Sequence, residues 1–474
     1  MINNDMKNYK IILFIAAVVL SPGMHANITL PDLFSDHMVL QQESKVTIWG
    51  WAKPNEEVRM TCSWDQDKEY RIKVENHGDW SMEIETPSNG GPYQLLIEGY
   101  NTIRINDILI GEVWLGSGQS NMEWTPAMGI DHAKEEIAGA NYPEIRFFTV
   151  HTISAGTPQQ LLRGEWLICT PETMKDFSAL MYFFGRELYK ELSVPVGLIN
   201  ASWGGTPIEI WMPESRIRGD RLLNQNASLL KPVPWGPVDP GVAFNSMIHP
   251  LIPFRIRGAL WYQGEANVGY PDQYARALKA LIESWRASWG YDFPFYYAQI
   301  APWAGYGDDN VNGAILRDQQ RLALNLIENT GMVVLSDIGD LENIHPGNKQ
   351  DAGKRMAGWA LHHDYGFTDR ACSGPLLSTC EIADDMIILD FDHADGLTAR
   401  STNTPAFEVL DRYGTWVEVE ARISGDHVEI DIPDGGARGV RYAFRNDAHP
   451  SLFNDAGLPA SCFEIIFHPD AEKK

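Results

Sequence analysis

The chain has 474 residues, past the size at which one hydrophobic core stops growing, so two or three domains are expected. Hydrophobic residues make up 44% and charged residues 21%, the profile of a soluble globular protein rather than a disordered or membrane-embedded one. Acidic residues outnumber basic ones 63 to 38, and the net charge of -25 repels nucleic acid and anionic membrane surfaces, which excludes both as general partners.

At the N-terminus Lys7 and Lys10 precede the apolar run 11–20, which is followed by the helix-breaking Ser21-Pro22-Gly23 and by Met24-His25-Ala26. That is the order of a secretory signal, and the run is about half the ~20 residues that span a bilayer. Residues 1–26 are therefore expected to be removed, leaving a secreted or periplasmic chain without a membrane partner. Residues 27–106 alternate with period two, as in Val46-Thr47-Ile48-Trp49 and Trp80-Ser81-Met82-Glu83-Ile84, between turn signals such as Lys53-Pro54-Asn55. This spacing predicts a separate N-terminal β-sandwich of the immunoglobulin-like kind.

At residue 107 the pattern changes. Apolar runs at 108–115, 194–200, 256–262, 295–300 and 332–335 alternate with amphipathic stretches such as 274–282. Strands alternating with helices predict an α/β domain over 107–370, with a parallel sheet covered on both faces and a ligand site beyond the carboxyl ends of its strands. The Pro- and Gly-rich stretch 214–243 reads as a long loop near that site. From 371 to 474 short alternating runs return, such as Val428-Glu429-Ile430-Asp431-Ile432, and predict a C-terminal β region. The five cysteines match no zinc spacing, so no metal is expected, while Cys372 and Cys380 bracket a short loop and could close a disulfide in an oxidising compartment.

Three polar loops follow the predicted strands. In Gly116-Ser117-Gly118-Gln119-Ser120-Asn121-Met122-Glu123-Trp124 small residues allow a sharp turn that presents Ser120, a weak nucleophile unless a base lies within hydrogen-bond reach. In Trp261-Tyr262-Gln263-Gly264-Glu265-Ala266-Asn267 the Gln and Glu are poor core residues and are expected to face a cleft, Gln263 as donor to an oxyanion. In the loop 337–346, Glu342 and His345 stand three apart, so a tight turn can bring the carboxylate onto the imidazole and fix its tautomer.

Together with Trp203-Gly204-Gly205-Thr206-Pro207-Ile208-Glu209 and Ile344-His345-Pro346-Gly347-Asn348-Lys349, these strings resemble the SGNH (GDSL-like) hydrolases, specifically the sialate O-acetylesterase and acetylxylan-esterase group, over about residues 27–465. The resemblance implies a flavodoxin-like α/β esterase domain with β appendages, Ser120 as nucleophile, His345 as base and an oxyanion hole built on the amides of Ser120 and Gly205. The acid of the family's DxxH motif falls on Glu342, with Asp340, Asp337 or no carboxylate at all as alternatives. The family's GxN motif is not intact, which leaves Gln263 or Asn267 as side-chain donor, Gln263 being preferred. Gln119, Asn121, Glu265 and Arg317 are the candidates for holding substrate, Arg317 either as partner of a sugar carboxylate or as an ordinary helix ion pair.

The activity so implied is removal of O-acetyl groups from carbohydrates, sialic acid first and xylan or another plant polysaccharide second, through an acetyl-serine and without metal or organic cofactor. A carbohydrate-binding protein without activity is the competing class. Ser120 and His345 together argue against it, because a binding module needs neither.

Overall fold

The computed structural model describes residues 27–307, 310–400 and 407–467, and the signal expected at 1–26 lies outside the described residues. Seven strands form the central sheet, in spatial order Thr330–Val333, Phe295–Ala298, Gly258–Tyr262, Thr102–Gly118, Val196–Ser202, Tyr142–Thr149 and Trp166–Cys169. All neighbours are parallel except the last pair. Val196–Ser202, Gly258–Tyr262 and Phe295–Ala298 are buried at every residue, as unbroken apolar runs require.

Helices cover both faces. On one, Ala179–Leu192 and Lys349–Asp364 pack together, with Phe184 against Trp114 and Trp359 against Tyr296. On the other lie Tyr274–Trp289, whose Trp285 meets Trp261 edge-on, and Asn312–Ala323, whose Gln320 carbonyl accepts from the Tyr297 hydroxyl. Ser178 and Asn348 cap the first two of these helices, accepting from the amides of Met181 and Asp351.

The alternation and the parallel pairing agree with the sequence, and five of the six parallel strands keep the flavodoxin-like order. Numbered along the chain without Tyr142–Thr149, the five lie in the order 2-1-3-4-5, and Tyr142–Thr149 is added beside Val196–Ser202. Periodicity selects which segments become strands, whereas order depends on how the crossovers pack, which periodicity does not encode.

The first strand, Thr102–Gly118, has a second set of neighbours, pairing antiparallel with Gly90–Glu98 and parallel with Val39–Gln41. Its burial passes from alternating to continuous along its length. The pattern change at residue 107 thus falls inside one strand that runs from a half-exposed sheet into a covered one. Asp107 turns the chain there, with φ 52° and a carboxylate that accepts from Arg146 Nη1 at 2.7 Å. One apolar core extends from Ile28 to Cys372. The N-terminal strands therefore share an edge and a core with the central sheet, unlike the self-contained immunoglobulin-like sandwich that alternation alone suggested.

The C-terminal region forms two four-stranded antiparallel sheets around a second core that includes Ile387, Val409, Val428 and Phe463. The five cysteines are free. Cys372 is buried beside the helix Lys349–Asp364, while Cys380 lies in the strand Leu376–Ala383 opposite Leu389, so the expected disulfide does not form. Among the described residues no helix is long and apolar enough to cross a membrane.

Candidate active site

The carboxyl ends of Thr102–Gly118, Val196–Ser202 and Gly258–Tyr262 lie side by side at the middle of the sheet. The first strand ends at Gly118, whose φ of 137° and whose contact with the Tyr262 carbonyl leave no room for a Cβ. The Gln119 amide then donates to that carbonyl at 3.0 Å, and the one-turn helix Ser120–Glu123 begins. Ser120 is thereby held at a strand end, with no acceptor for its amide among the described residues.

His345 Nε2 lies 2.8 Å from Ser120 Oγ. The imidazole stacks on Trp124, ring centroids 4.0 Å apart and planes 15° from parallel. Burial, helped by the nearby Lys349 charge, pulls the His345 pKa down to about 4. At neutral pH the ring is uncharged and able to take a proton from the serine.

None of the three carboxylates expected beside His345 reaches it. Asp340 caps the turn, accepting from the amides of Glu342 and Asn343 at 2.9 and 3.2 Å. Asp337 is clamped by both terminal nitrogens of Arg355 at 2.7 and 2.6 Å. The Glu342 side chain is exposed and makes no hydrogen bond or ion pair with His345, because the Asp340-capped turn directs it outward while Asn343 Oδ1 accepts the His345 amide at 2.9 Å. The spacing allowed a triad, and the turn that formed does not make one.

Gly205, three residues beyond the end of Val196–Ser202, lines the same cleft as Ser120. Its φ is 70°, and a Cβ there would collide with the Trp235 indole. The amides of Ser120 and Gly205 meet no protein acceptor among the described residues, whereas Gly204 donates to Glu123 Oε2 at 2.7 Å. Burial raises the Glu123 carboxyl above its ordinary range. Ser120, His345, Glu123, Trp203, Gly205 and Trp235 line an open cleft of about 550 Å³. Trp235, at 62% exposure, stands at its rim; the stretch 214–243, expected as one long loop, forms the helices Glu214–Arg218 and Arg221–Ala227 before the Pro- and Gly-rich loop that carries Trp235.

Gln263 and Asn267 lie behind this cleft, not in it. Gln263 is fully buried, donates to Asn267 Oδ1 at 2.7 Å, Thr206 O at 3.1 Å and Gln119 Oε1 at 3.1 Å, and accepts from the Tyr274 hydroxyl at 2.7 Å. Asn267 donates to Glu209 Oε2 at 3.0 Å and accepts from the Ile208 amide at 3.0 Å. Both amides are held by protein partners behind the cleft, so neither serves as the oxyanion donor expected of Gln263. A polar residue at a strand end can be turned inward when enough partners await it there, and composition alone cannot tell the two cases apart.

The candidates for substrate contact divide in the same way. Gln119 touches the cleft, but its Oε1 accepts from Gln263 and from the Ala266 amide at 3.1 Å. Asn121 is buried, donates to Glu265 Oε1 at 2.6 Å and to the Ile344 carbonyl at 3.0 Å, and accepts from Lys349 Nζ at 2.6 Å. Lys349 is 1% exposed, and burial pulls its pKa down to about 7. Burial raises the Glu265 carboxyl, whose Oε2 has no partner among the described residues. Arg317 is buried and donates to the carbonyls of Arg445 and Asn446, so it fastens the C-terminal region and is not free for a sugar carboxylate.

Trp124, Glu123, Trp235 and Lys349 were not assigned roles from the sequence. The first two lie in the Ser120 loop and Trp235 in the Pro- and Gly-rich loop, so proximity marked their neighbourhood without marking them. The potential metal ligands that converge among the described residues, His362, His363 and Cys372, do not line the cleft.

Residues 110–361 match the profile of the family described as carbohydrate esterase, sialic acid-specific acetylesterase. Sialate O-acetylesterase of Homo sapiens is 30% identical over 86% of each chain, and that of Mus musculus 28% identical over 92% of each. The crystal structure of a carbohydrate acetylesterase from Xanthomonas citri superposes with a TM-score of 0.83 at 34% identity, covering 92% of this chain and 99% of that one. By sequence and by fold, the chain belongs to the carbohydrate esterase family of sialic acid-specific acetylesterases.

Proposed function

We propose that this protein is a secreted serine esterase that removes O-acetyl groups from carbohydrates, O-acetylated sialic acid first among them, by a Ser120–His345 dyad. The 2.8 Å contact between His345 Nε2 and Ser120 Oγ, inside an open cleft, carries the reading. Family membership supports ester hydrolysis, the relatives named sialate O-acetylesterase favour a sialate, and the segment 1–26 favours secretion.

Ser120 Oγ attacks the acetyl carbonyl while His345 Nε2 takes its proton. The carbonyl oxygen becomes an oxyanion and accepts from the Ser120 and Gly205 amides, preorganised donors that need not reorient as the charge develops. The C–O bond to the sugar breaks, and the sugar oxygen leaves with the proton from His345. Water repeats the sequence on the acetyl-serine and releases acetate. Trp124 replaces the missing carboxylate as the surface that fixes the imidazole plane. Trp203 and Trp235 offer flat apolar faces at the cleft where a sugar ring could stack.

The test is acetate release from 4-nitrophenyl acetate, O-acetylated sialic acid and acetylated xylan by wild type and Ser120→Ala. Wild type is expected to act on the first two, and the variant to lose about 10⁶-fold in kcat. Activity on the model ester and xylan but not on the sialate would move the substrate to plant polysaccharides. No activity on any acetyl ester, or full activity in the variant, would overturn the dyad.

A further inference from the structure

We propose that His362, His363 and Cys372 form a binding site for one zinc-class divalent ion, where the helix Lys349–Asp364 meets the segment leading into the C-terminal β region. One nitrogen of each imidazole and the Cys372 sulfur all lie within 4.8 Å of one another. His363 Nε2 stands 3.8 Å from Cys372 Sγ. On a tetrahedral zinc, a nitrogen bonded at about 2.0 Å and a sulfur at about 2.3 Å stand about 3.6 Å apart, so an ion fits between them with small movements. Adjacent histidines followed by a cysteine nine residues on from His363 match no zinc-finger spacing, which is why the sequence did not suggest the site.

The surroundings suit the same occupant. His362 Nδ1 lies 2.8 Å from the Arg370 carbonyl, a contact that requires the ring proton on Nδ1 and leaves the Nε2 lone pair open, as for most zinc-bound histidines. His363 is oriented by stacking on Trp359, with centroids 5.0 Å apart and planes 13° from parallel. Cys372 is a free, buried thiol. On binding, the S–H bond breaks, a sulfur–metal bond forms and one proton passes to solvent.

Both histidines sit in the last turn of the helix, where the carbonyl end of its dipole favours a cation. The Arg370 guanidinium is paired with Glu187 and Glu191. One thiolate with two imidazoles selects zinc or its neighbours over magnesium and calcium. His363 is exposed, which leaves an entry path and a fourth position for water.

The probe is Co(II), added to the full chain after treatment with a chelator and followed by absorption. Wild type is expected to bind one ion per chain with a thiolate-to-cobalt charge-transfer band, and added zinc should displace it. Cys372→Ser should lose the band, Cys380→Ser should keep it, and His363→Gln should weaken binding at least tenfold. His363→Gln changes an exposed side chain and keeps the test open if Cys372→Ser fails to fold. The absence of a thiolate band in wild type overturns the site. Binding of equal strength in wild type and His363→Gln, or a band retained in Cys372→Ser, assigns the ion elsewhere and overturns it as well.

Discussion

Ser120 is flanked by two residues of similar chemistry, Gln119 and Asn121, and each enters a different buried network. Gln119 leads through Gln263 to the Thr206 carbonyl, one residue beyond the Gly205 amide, and through Gln263 to Asn267 and Glu209. Asn121 leads to Glu265, to Lys349 and to the Ile344 carbonyl, one residue before His345. One neighbour of the proposed nucleophile thus fastens the oxyanion side and the other fastens the base.

The difference lies in satisfaction. The first network ends on a buried carboxyl, Glu209, but leaves none of its buried side-chain oxygens orphaned among the described residues, whereas the second holds a buried lysine whose pKa is pulled to about 7 and a buried glutamate with one orphaned oxygen. A saturated amide network rigidifies a scaffold, while half-satisfied buried charge costs stability and persists where function requires it. The asymmetry teaches that the proposed base, lacking a carboxylate of its own, is positioned through its backbone by charged groups behind it.

Removing the charge should break the comparison most severely. Lys349→Met removes the nearby positive charge that lowers the buried Glu265 carboxyl and leaves Asn121 Oδ1 without its donor, and is expected to cost about 3–5 kcal/mol in unfolding stability, read by urea denaturation. In the fraction that stays folded, kcat should fall while KM holds, because the Ile344 anchor loosens. The double variant Lys349→Met with Glu265→Gln should recover part of the stability, since no bare carboxylate remains. Equal stability in the single and double variants would show that the two groups are not coupled.

Gln263→Leu addresses the other side. Three contacts lose their donor and the Tyr274 hydroxyl loses one acceptor, so a loss of about 1–3 kcal/mol is expected by the same denaturation measurement. With the oxyanion held by backbone amides, kcat on 4-nitrophenyl acetate should stay within about threefold. A fall of about 10²–10³ would instead return Gln263 to the hole.

These variants also mark what the sequence made legible. The Ser120 loop and His345 were readable because small residues at a strand end and a base in a polar loop are local signals, and the structure brings the two side chains together. Gln263, Asn267 and Arg317 were misread because polarity after an apolar strand or on a helix does not say whether the partner will be substrate or protein. Each turned out to meet protein groups contributed from elsewhere in the chain. Thr102–Gly118 gives the same lesson for the fold, since its change of burial pattern was visible but the continuity of the strand across it was not. Trp235 was least legible of all: it joins the cleft through a contact with Gly205, 30 residues away in the chain.

The smallest effect expected of a single substitution carries the sharpest information about the base. Glu342→Gln should change kcat/KM by less than about twofold, because the side chain is exposed and does not touch His345. A carboxylate on Nδ1 would stabilise the imidazolium and raise the pKa of the ring toward or above its ordinary value. Here burial and the Lys349 charge act in the opposite direction and place it at about 4. His345 must be neutral to accept the serine proton, so its proposed role as base is intact above that value and is lost as protonation sets in below it. The kcat/KM profile of wild type should therefore hold on the acid side down to about pH 5 and then fall with unit slope below about pH 4, and Glu342→Gln should reproduce it. An acid limb near pH 6.5 that moves on Glu342→Gln would mean that the carboxylate swings onto the ring in the working enzyme, and the dyad would give way to a triad.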